Sequence, residues 1–342
     1  MRAVVASEPN VVKVVDIPAP TIEADTDVIV KVTASAICGA DLLPLSGHVP
    51  GFEWGTVMGH EFVGTVIDAG ERGGFAQGTR VVCSSTVSCG LCWYCIHEMS
   101  SQCTQMALFG FSGVYPRLDG GQADFVRVPH GNRVLWALPE KLSDDMAVFV
   151  GDILPTAVRA VERGDVKPGD VVAVIGGGPV GLLAALVAKS YGATVFLVDV
   201  DQNRRAQAVA LGIPTCGPED AEAWGHERSE GRGPDTAIEA SGNPAALTMA
   251  LSLVRGRGTV SVSGAHFDSD RPIDVGTMFA KETSLRFAMG SPTDDRERVA
   301  AMILDGRVDP TPLITHTVGL DEAPSAYDAF RSHKATKVIF HP

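Results

Sequence analysis

The sequence predicts an α/β chain in which a doubly wound, parallel-sheet domain is inserted into a β-rich domain that owns both chain ends. Three observations predict it. The first 150 or so residues read as short β segments separated by Gly, Pro and Asp. Strand–helix alternation takes over at Asp170 and stops after about Met289. The chain then closes on Lys337-Val338-Ile339-Phe340, a short strand with no sheet of its own. At 342 residues the chain is also too long for one ordinary domain. The expected boundaries are 1–152 with 289–342 for the β-rich domain and 153–288 for the insert.

In chain order, Val28–Val32, Thr79–Val82 and Ala123–Val128 are the clearest early strands. Val171–Ile175 is a continuous apolar run, the signature of a strand buried on both faces of a parallel sheet. A glycine turn and an apolar helix, Val180–Ser190, follow it. Next come a strand at Thr194–Val198, a helix from about Asn203 to Leu211, and a strand at Thr236–Ala240. A helix near Pro244–Leu253, a strand at Gly258–Val262 and a return strand at Leu285–Met289 complete the alternation. Val171–Ala188 carries no charge, yet Gly176, Gly177, Gly178, Pro179 and Gly181 break it, so it reads as strand, turn and helix rather than a membrane span.

Composition bounds the function. With 28 basic and 41 acidic residues the formal charge is −13, which repels phosphate backbones and argues against nucleic acid as a partner. Met1–Val15 lacks the basic-then-apolar pattern of an export signal, so a cytoplasmic protein with no membrane partner is expected. Seven cysteines, an odd number in a large chain, disfavour a disulfide framework. Four of them crowd into fifteen residues, which points to metal.

Gly176-Gly177-Gly178-Pro179-Val180-Gly181 is a G-x-G-x-x-G placed between a buried strand and a helix, the context that makes it a dinucleotide fingerprint. Gly176 serves the tight turn, Gly178 the approach of a pyrophosphate, and Gly181 the packing of helix on strand. The helix N-terminus offers free N–H groups to the phosphates. Asp199 ends the second strand, where a carboxylate accepts ribose hydroxyls and repels a 2′-phosphate, so NAD is expected over NADP. Arg204 and Arg205 stand nearby as potential phosphate ligands, and Asp199 can also be read as a helix N-cap.

Cys89-x2-Cys92-x2-Cys95-x7-Cys103 carries four thiols at a spacing that closes a tetrahedral zinc shell, hence a structural site. The iron–sulfur alternative expects a shorter last gap followed by proline, and Thr104 stands there instead. Two further turns, Cys38-Gly39-Ala40-Asp41 and Gly59-His60-Glu61, each set a metal-capable side chain beside an acid.

Taken together, Cys-Gly-x-Asp, Gly-His-Glu, the four-cysteine loop and the glycine fingerprint resemble the zinc-containing medium-chain alcohol dehydrogenase family, within the medium-chain dehydrogenase/reductase superfamily. Pro312-Leu313-Ile314-Thr315-His316 and Lys337-Val338-Ile339 look like its ending, so the resemblance spans the chain. It implies a GroES-like catalytic domain and a Rossmann NAD-binding domain. It implies Cys38 and His60 as ligands of a catalytic Zn2+, with Asp152 of Gly151-Asp152-Ile153-Leu154-Pro155-Thr156 as the third in the aspartate variant of formaldehyde- and polyol-type relatives. Gly120-Gly121-Gln122-Ala123-Asp124 leans towards the same relatives. The resemblance also places Glu61 behind the metal, Asp41 on the second nitrogen of His60, and Thr156 at the nicotinamide. Lys337 is implied either as the partner of Glu61 or as a ligand of the cofactor phosphates.

The implied reaction is hydride transfer between NAD(H) and an alcohol or carbonyl, by a homo-oligomer, dimer or tetramer. One departure matters: Ala40 and Leu43 stand where relatives often carry a hydroxyl and a histidine that pass the alcohol proton to solvent. Water, the cofactor ribose or His48 are the substitutes left. Missing relay groups also suit a different enzyme, an NADH-dependent reductase of an activated C=C or C=N bond with zinc mainly structural. His48, Phe52, Trp54, Phe109, Phe111 and Tyr115 are candidate linings of an apolar substrate pocket or ordinary packing residues.

Overall fold

A computed structural model describes residues 1–47, 49–266 and 272–342. The chain divides into two compact units, Met1–Pro155 with Ser291–Pro342, and Thr156–Gly290. Among the described residues no helix is long and apolar enough to cross a membrane.

The first unit is built on a seven-stranded sheet. Its path runs Ile314–Val318, Lys337–Phe340, Val28–Ala36, Glu61–Ala69, Arg80–Cys83, Leu135–Ala137, and Phe125–Val128 pairs Val28–Ala36 off this path. Lys337–Phe340 therefore joins the sheet of the β-rich unit, between a parallel and an antiparallel neighbour. The register decides where the chemistry collects. Ala36 pairs Glu61 on one side and Ile339 on the other. The chain two residues beyond Ala36 is Cys38, the residue before Glu61 is His60, and two before Ile339 is Lys337. All three arrive at the same end of the sheet. Apolar alternation on Val28–Ala36 buries one face against Phe62, Phe109 and Val126, with Phe62 and Phe109 meeting edge to face at 5.1 Å.

This unit also holds elements that periodicity did not announce. Arg2–Glu8 and Val11–Asp16 form an antiparallel hairpin. Helices Pro292–Leu304 and Ala323–Arg331 occupy the last fifty residues, where strand–helix alternation was expected to have ended. Pro at the first helical turn suits both, since its missing N–H is one of the donors a helix start leaves unpaired anyway.

The second unit is a six-stranded sheet, parallel throughout. Its order is Thr215–Cys216, Thr194–Val198, Val171–Ile175, Thr236–Glu239, Thr259–Val262, Ser284–Phe287. In strand sequence this is 3-2-1-4-5-6, the Rossmann order, with the switch point beside Val171–Ile175. All five residues of that central strand are buried. The helix after it, Pro179–Ser190, starts from an extended Gly178 with Pro179 at its first position.

Candidate functional site

At the end of the first unit's sheet, Cys38, His60, Glu61 and Asp152 each offer a ligand atom, and these atoms lie within 4.8 Å of one another. Cys38 Sγ is 3.8 Å from Asp152 Oδ2, and His60 Nε2 is 3.4 Å from the same oxygen. Around them stand the groups that orient them. Asp41 Oδ1 lies 3.0 Å from His60 Nδ1, and Asp41 Oδ2 accepts the Cys38 amide at 2.9 Å. Ser85 donates its hydroxyl to Asp152 Oδ1 at 2.8 Å, turning Oδ2 towards Cys38 and His60. Glu61 Oε2 ion-pairs with the Lys337 ammonium, both side chains fully buried, and Lys337 also donates to the Ile37 carbonyl at 3.2 Å. Of the two roles the sequence left open for Lys337, the pairing with Glu61 is the one the structure displays.

The donor chemistry fits a zinc ion. Glu61 Oε1 is buried and has no hydrogen-bond partner among the described residues. Burial, reinforced by Glu61, pushes the Cys38 thiol up to about 11. Burial also disfavours a charged His60, but Asp41, Cys38 and Asp152 together outweigh it and hold the imidazole well above its ordinary range. A cation among these atoms reverses both tendencies, because a metal ligand must be a thiolate or a neutral imidazole. One sulfur, one nitrogen and carboxylate oxygens, with the far ring nitrogen held by a carboxylate, are the ligand types of an open zinc site.

The expected relay positions are half-buried Ala40 and Leu43, neither with a titrating or hydroxyl group. His48 lies outside the described residues. Of the aromatic candidates, Phe109 is a core residue against Phe62, which removes it from the pocket lining. Phe111 meets His60 edge to face at 6.3 Å, whereas Phe52 and Trp54 contact each other at 5.3 Å and Tyr115 is half-buried.

The four-cysteine loop brings Cys89, Cys92, Cys95 and Cys103 together with their sulfurs within 4.8 Å of one another. Backbone amides point at the sulfurs: Cys89 N–H and Gln105 N–H donate to Cys103 Sγ at 3.3 Å, and Cys92 N–H to Cys89 Sγ at 3.4 Å. Amides of Thr104 and Cys95 hold the Cys92 thiol down at about 6, so it is largely thiolate at neutral pH. All seven cysteines are free of disulfides.

In the second unit the fingerprint glycines sit where the turn needs them. Gly176 has φ +108°, and a Cβ on Gly181 would collide with the Gly176 carbonyl oxygen, so helix and turn pack at a distance only glycine allows. A Cβ on Gly178 would meet nothing within 4 Å, and half-buried Pro179 and Val180 open the helix beside it. Asp199 is buried, and its carboxylate accepts the amides of Gly177 at 2.5 Å and Asp201 at 2.7 Å. The N-cap reading of Asp199 is thereby replaced: Asp201 caps the next helix, accepting from Asn203 and Arg204. Arg204 Nη1 lies 3.8 Å from Asp199 Oδ2, and Arg205 donates to the carbonyls of Asp199 and Val200. Glu239, which no motif marked, accepts from Ser241 and Gly242 and faces His266 Nε2 at 2.9 Å. Thr156 lies in the first turn of helix Ile153–Arg163, where a Cβ on Gly290 would strike its hydroxyl.

Residues 24–140 match the alcohol dehydrogenase GroES-like domain family, and residues 179–305 the zinc-binding dehydrogenase family. The chain belongs to the zinc-containing medium-chain alcohol dehydrogenases. A probable zinc-binding alcohol dehydrogenase of Mycobacterium tuberculosis is 34% identical over 99% of this chain and 88% of its own. A medium chain reductase/dehydrogenase of Acremonium sp. is 38% identical over 78% of this chain and 94% of its own. Among solved structures, the alcohol dehydrogenase of Thermus sp. ATN1 superposes with a TM-score of 0.94 at 35% identity, covering 100% of this chain and 99% of that one. This family member therefore carries the GroES-like and Rossmann-type α/β folds of a zinc-type oxidoreductase.

Proposed function

We propose that this dehydrogenase transfers a hydride between NAD(H) and an alcohol or carbonyl substrate. In this reading Cys38, His60 and Asp152 hold a catalytic Zn2+ with Glu61 beside it, while Cys89, Cys92, Cys95 and Cys103 hold a structural one. The observation that carries the reading is the convergence of the first four ligand atoms in a buried site. When bound, zinc supplies Lewis acidity towards a hydroxyl or carbonyl oxygen and the nicotinamide supplies the hydride carrier. The chain's own residues do the rest. Asp41 fixes the His60 ring, Ser85 turns Asp152, and Lys337 restrains Glu61. Gly176, Gly178, Pro179, Val180 and Gly181 form the phosphate turn, and the N-terminus of Pro179–Ser190 presents its free amides there.

NAD is favoured because the Asp199 carboxylate sits at the end of Thr194–Val198, where a 2′-phosphate meets a negative charge. Two bound amides leave that carboxylate acceptor capacity for ribose hydroxyls. Relatives of both kinds are known: an Escherichia coli dehydrogenase structure, 26% identical, holds NADH, and a Sinorhizobium meliloti one, 27% identical, is bound to NADP. A cytoplasmic location is part of the proposal, resting on the unpaired cysteines. So is a homo-oligomer, dimer or tetramer: Ser284–Phe287 ends the six-stranded sheet and Phe287 is exposed.

Ala40 and Leu43 favour one rival, an NADH-dependent reductase of an activated C=C or C=N bond with zinc mainly structural. Cofactor turnover with panels of alcohols, carbonyls and conjugated alkenes, before and after selective metal removal, separates the two. Alcohol oxidation that disappears with the Cys38-site metal is expected. Conjugated C=C reduction faster than that of any carbonyl, retained after metal removal, overturns the proposal in favour of the reductase.

A further inference from the structure

A chain of buried polar contacts leads from His60 to a helix that no motif touches. Tyr327, on Ala323–Arg331, is fully buried and donates its hydroxyl to Gln122 Oε1 at 2.8 Å. Gln122, also fully buried, donates from Nε2 to the Ala36 carbonyl at 3.1 Å and to Asp41 Oδ2 at 3.4 Å. Asp41, again fully buried, presents Oδ1 to His60 Nδ1 at 3.0 Å.

The direction of each hydrogen bond at Gln122 is forced. The Ala36 carbonyl and the Asp41 carboxylate only accept, so the Gln122 amide nitrogen must face them. Its oxygen then faces Tyr327, which must donate. Burial, with Asp41 adding to it, pushes the Tyr327 hydroxyl well above its ordinary range, so it stays an O–H donor. Gln122 packs so closely on Gly59, the residue before His60, that a Cβ there would collide with its side chain. Asp41, lacking a Lys or Arg partner among the described residues, is held by the Cys38 amide, the Gln122 amide and the His60 ring. Once a metal takes Nε2, the Asp41 carboxylate is the acceptor beside Nδ1, so the remaining ring proton belongs there.

We propose that Gln122 and Tyr327 are positioning residues of the metal centre: the Tyr327–Gln122–Asp41–His60 chain fixes the His60 tautomer and aims Nε2 towards Cys38 and Asp152. The inference rests on the metal reading of that cluster given under Proposed function. Partners of this kind, standing behind a metal ligand, are worth roughly 10–100-fold in metal affinity.

The test uses the full-length protein loaded with Co2+ in place of zinc, reading metal per chain, the visible spectrum, and release to a chelator. Cys38→Ser identifies which released population belongs to the buried cluster. Tyr327→Phe removes one hydroxyl and keeps the ring; Gln122→Leu removes the whole link. Both are expected to weaken the Cys38-dependent population by about 10–100-fold and alter its spectrum, leaving the four-cysteine population unchanged. Tyr327→Phe folds with the parent's packing, so it decides the matter even where Gln122→Leu does not fold. Unchanged affinity and spectrum in Tyr327→Phe, or equal weakening of both populations, overturns the positioning role. Undiminished metal content in Cys38→Ser overturns instead the metal reading beneath it.

Discussion

Lys337→Met tests whether the buried ion pair at the end of the first unit's sheet is restrained by its partner alone. The parent ammonium and the Glu61 carboxylate are both fully buried, and Lys337 also donates to the Ile37 carbonyl. Methionine keeps most of the stem volume among the strand's neighbours and removes the charge. What remains is a carboxylate with Oε1 already unpartnered and Oε2 newly so. Breaking a buried pair by deleting one partner costs about 3–5 kcal/mol, whereas replacing both partners is near neutral. The Lys337→Met protein should therefore lose about 3–5 kcal/mol, and Lys337→Met with Glu61→Gln should recover most of it. Urea unfolding at matched metal content, followed by tryptophan fluorescence, reads this unit, which holds Trp54, Trp93 and Trp136 of the four tryptophans.

The pH dependence gives a second reading. Burial would lower the Lys337 ammonium, but Glu61, with Cys38 and Asp152, outweighs it and holds the group above its ordinary 10.5. A raised folded value means the stabilisation is present below pH 10.5 and is lost as pH rises through that folded value. The gap between parent and Lys337→Met should accordingly close in strong alkali, and also in acid, where the Glu61 carboxylate, raised by burial, takes up a proton. A double variant as unstable as the single one would refute the reasoning, because the cost would then lie in lost packing rather than in an orphaned carboxylate.

Two further outcomes are expected elsewhere. Asp199→Ala removes the charged acceptor of the ribose hydroxyls, each such bond worth about 1.5–3 kcal/mol, so NAD should bind roughly 10–150-fold more weakly by calorimetric titration. Its preference against NADP should narrow as well, and a parent that binds NADP more tightly than NAD contradicts the ribose assignment. Cys92→Ser removes a thiol already held near 6 by backbone amides, so the loop should lose its metal and the melting transition of the first unit should fall. An unchanged melt with one metal fewer per chain would show that the loop's zinc does not support the fold.

How much of this the sequence discloses depends on whether a residue signals through its neighbours in sequence or only through its partners in space. Val171–Ile175 is buried on both faces and so writes itself as an unbroken apolar run, and the glycine turn after it is equally local. Cys38 and His60 each lie within a short motif carrying its own acid. Ser85, Gln122 and Tyr327 have no such mark. Each is an ordinary polar residue whose role exists only through contact, and the Tyr327–Gln122 bond closes a sequence separation of 205 residues. Helix Pro292–Leu304 was unreadable for a related reason. Its buried apolar residues begin only at Val299, while its first turn is held by polar contacts: Asp294 takes the amide and hydroxyl of Ser100, and Ser100 meets Ser291. Hydrophobic periodicity does not register such bonds.

Lys337 shows the limit most sharply. A lysine opening a strand reads as a solvent-facing end, and the family resemblance alone left its partner open between Glu61 and a phosphate. Strand register brings Glu61 to it. Pairing of Ile339 with Ala36, and of Ala36 with Glu61, carries Lys337 to the level of Cys38 and His60, inside the unit, where the Glu61 carboxylate and the Ile37 carbonyl accept its ammonium. Register is a property of three strands far apart in sequence, so neither the lysine nor its neighbours could carry the information.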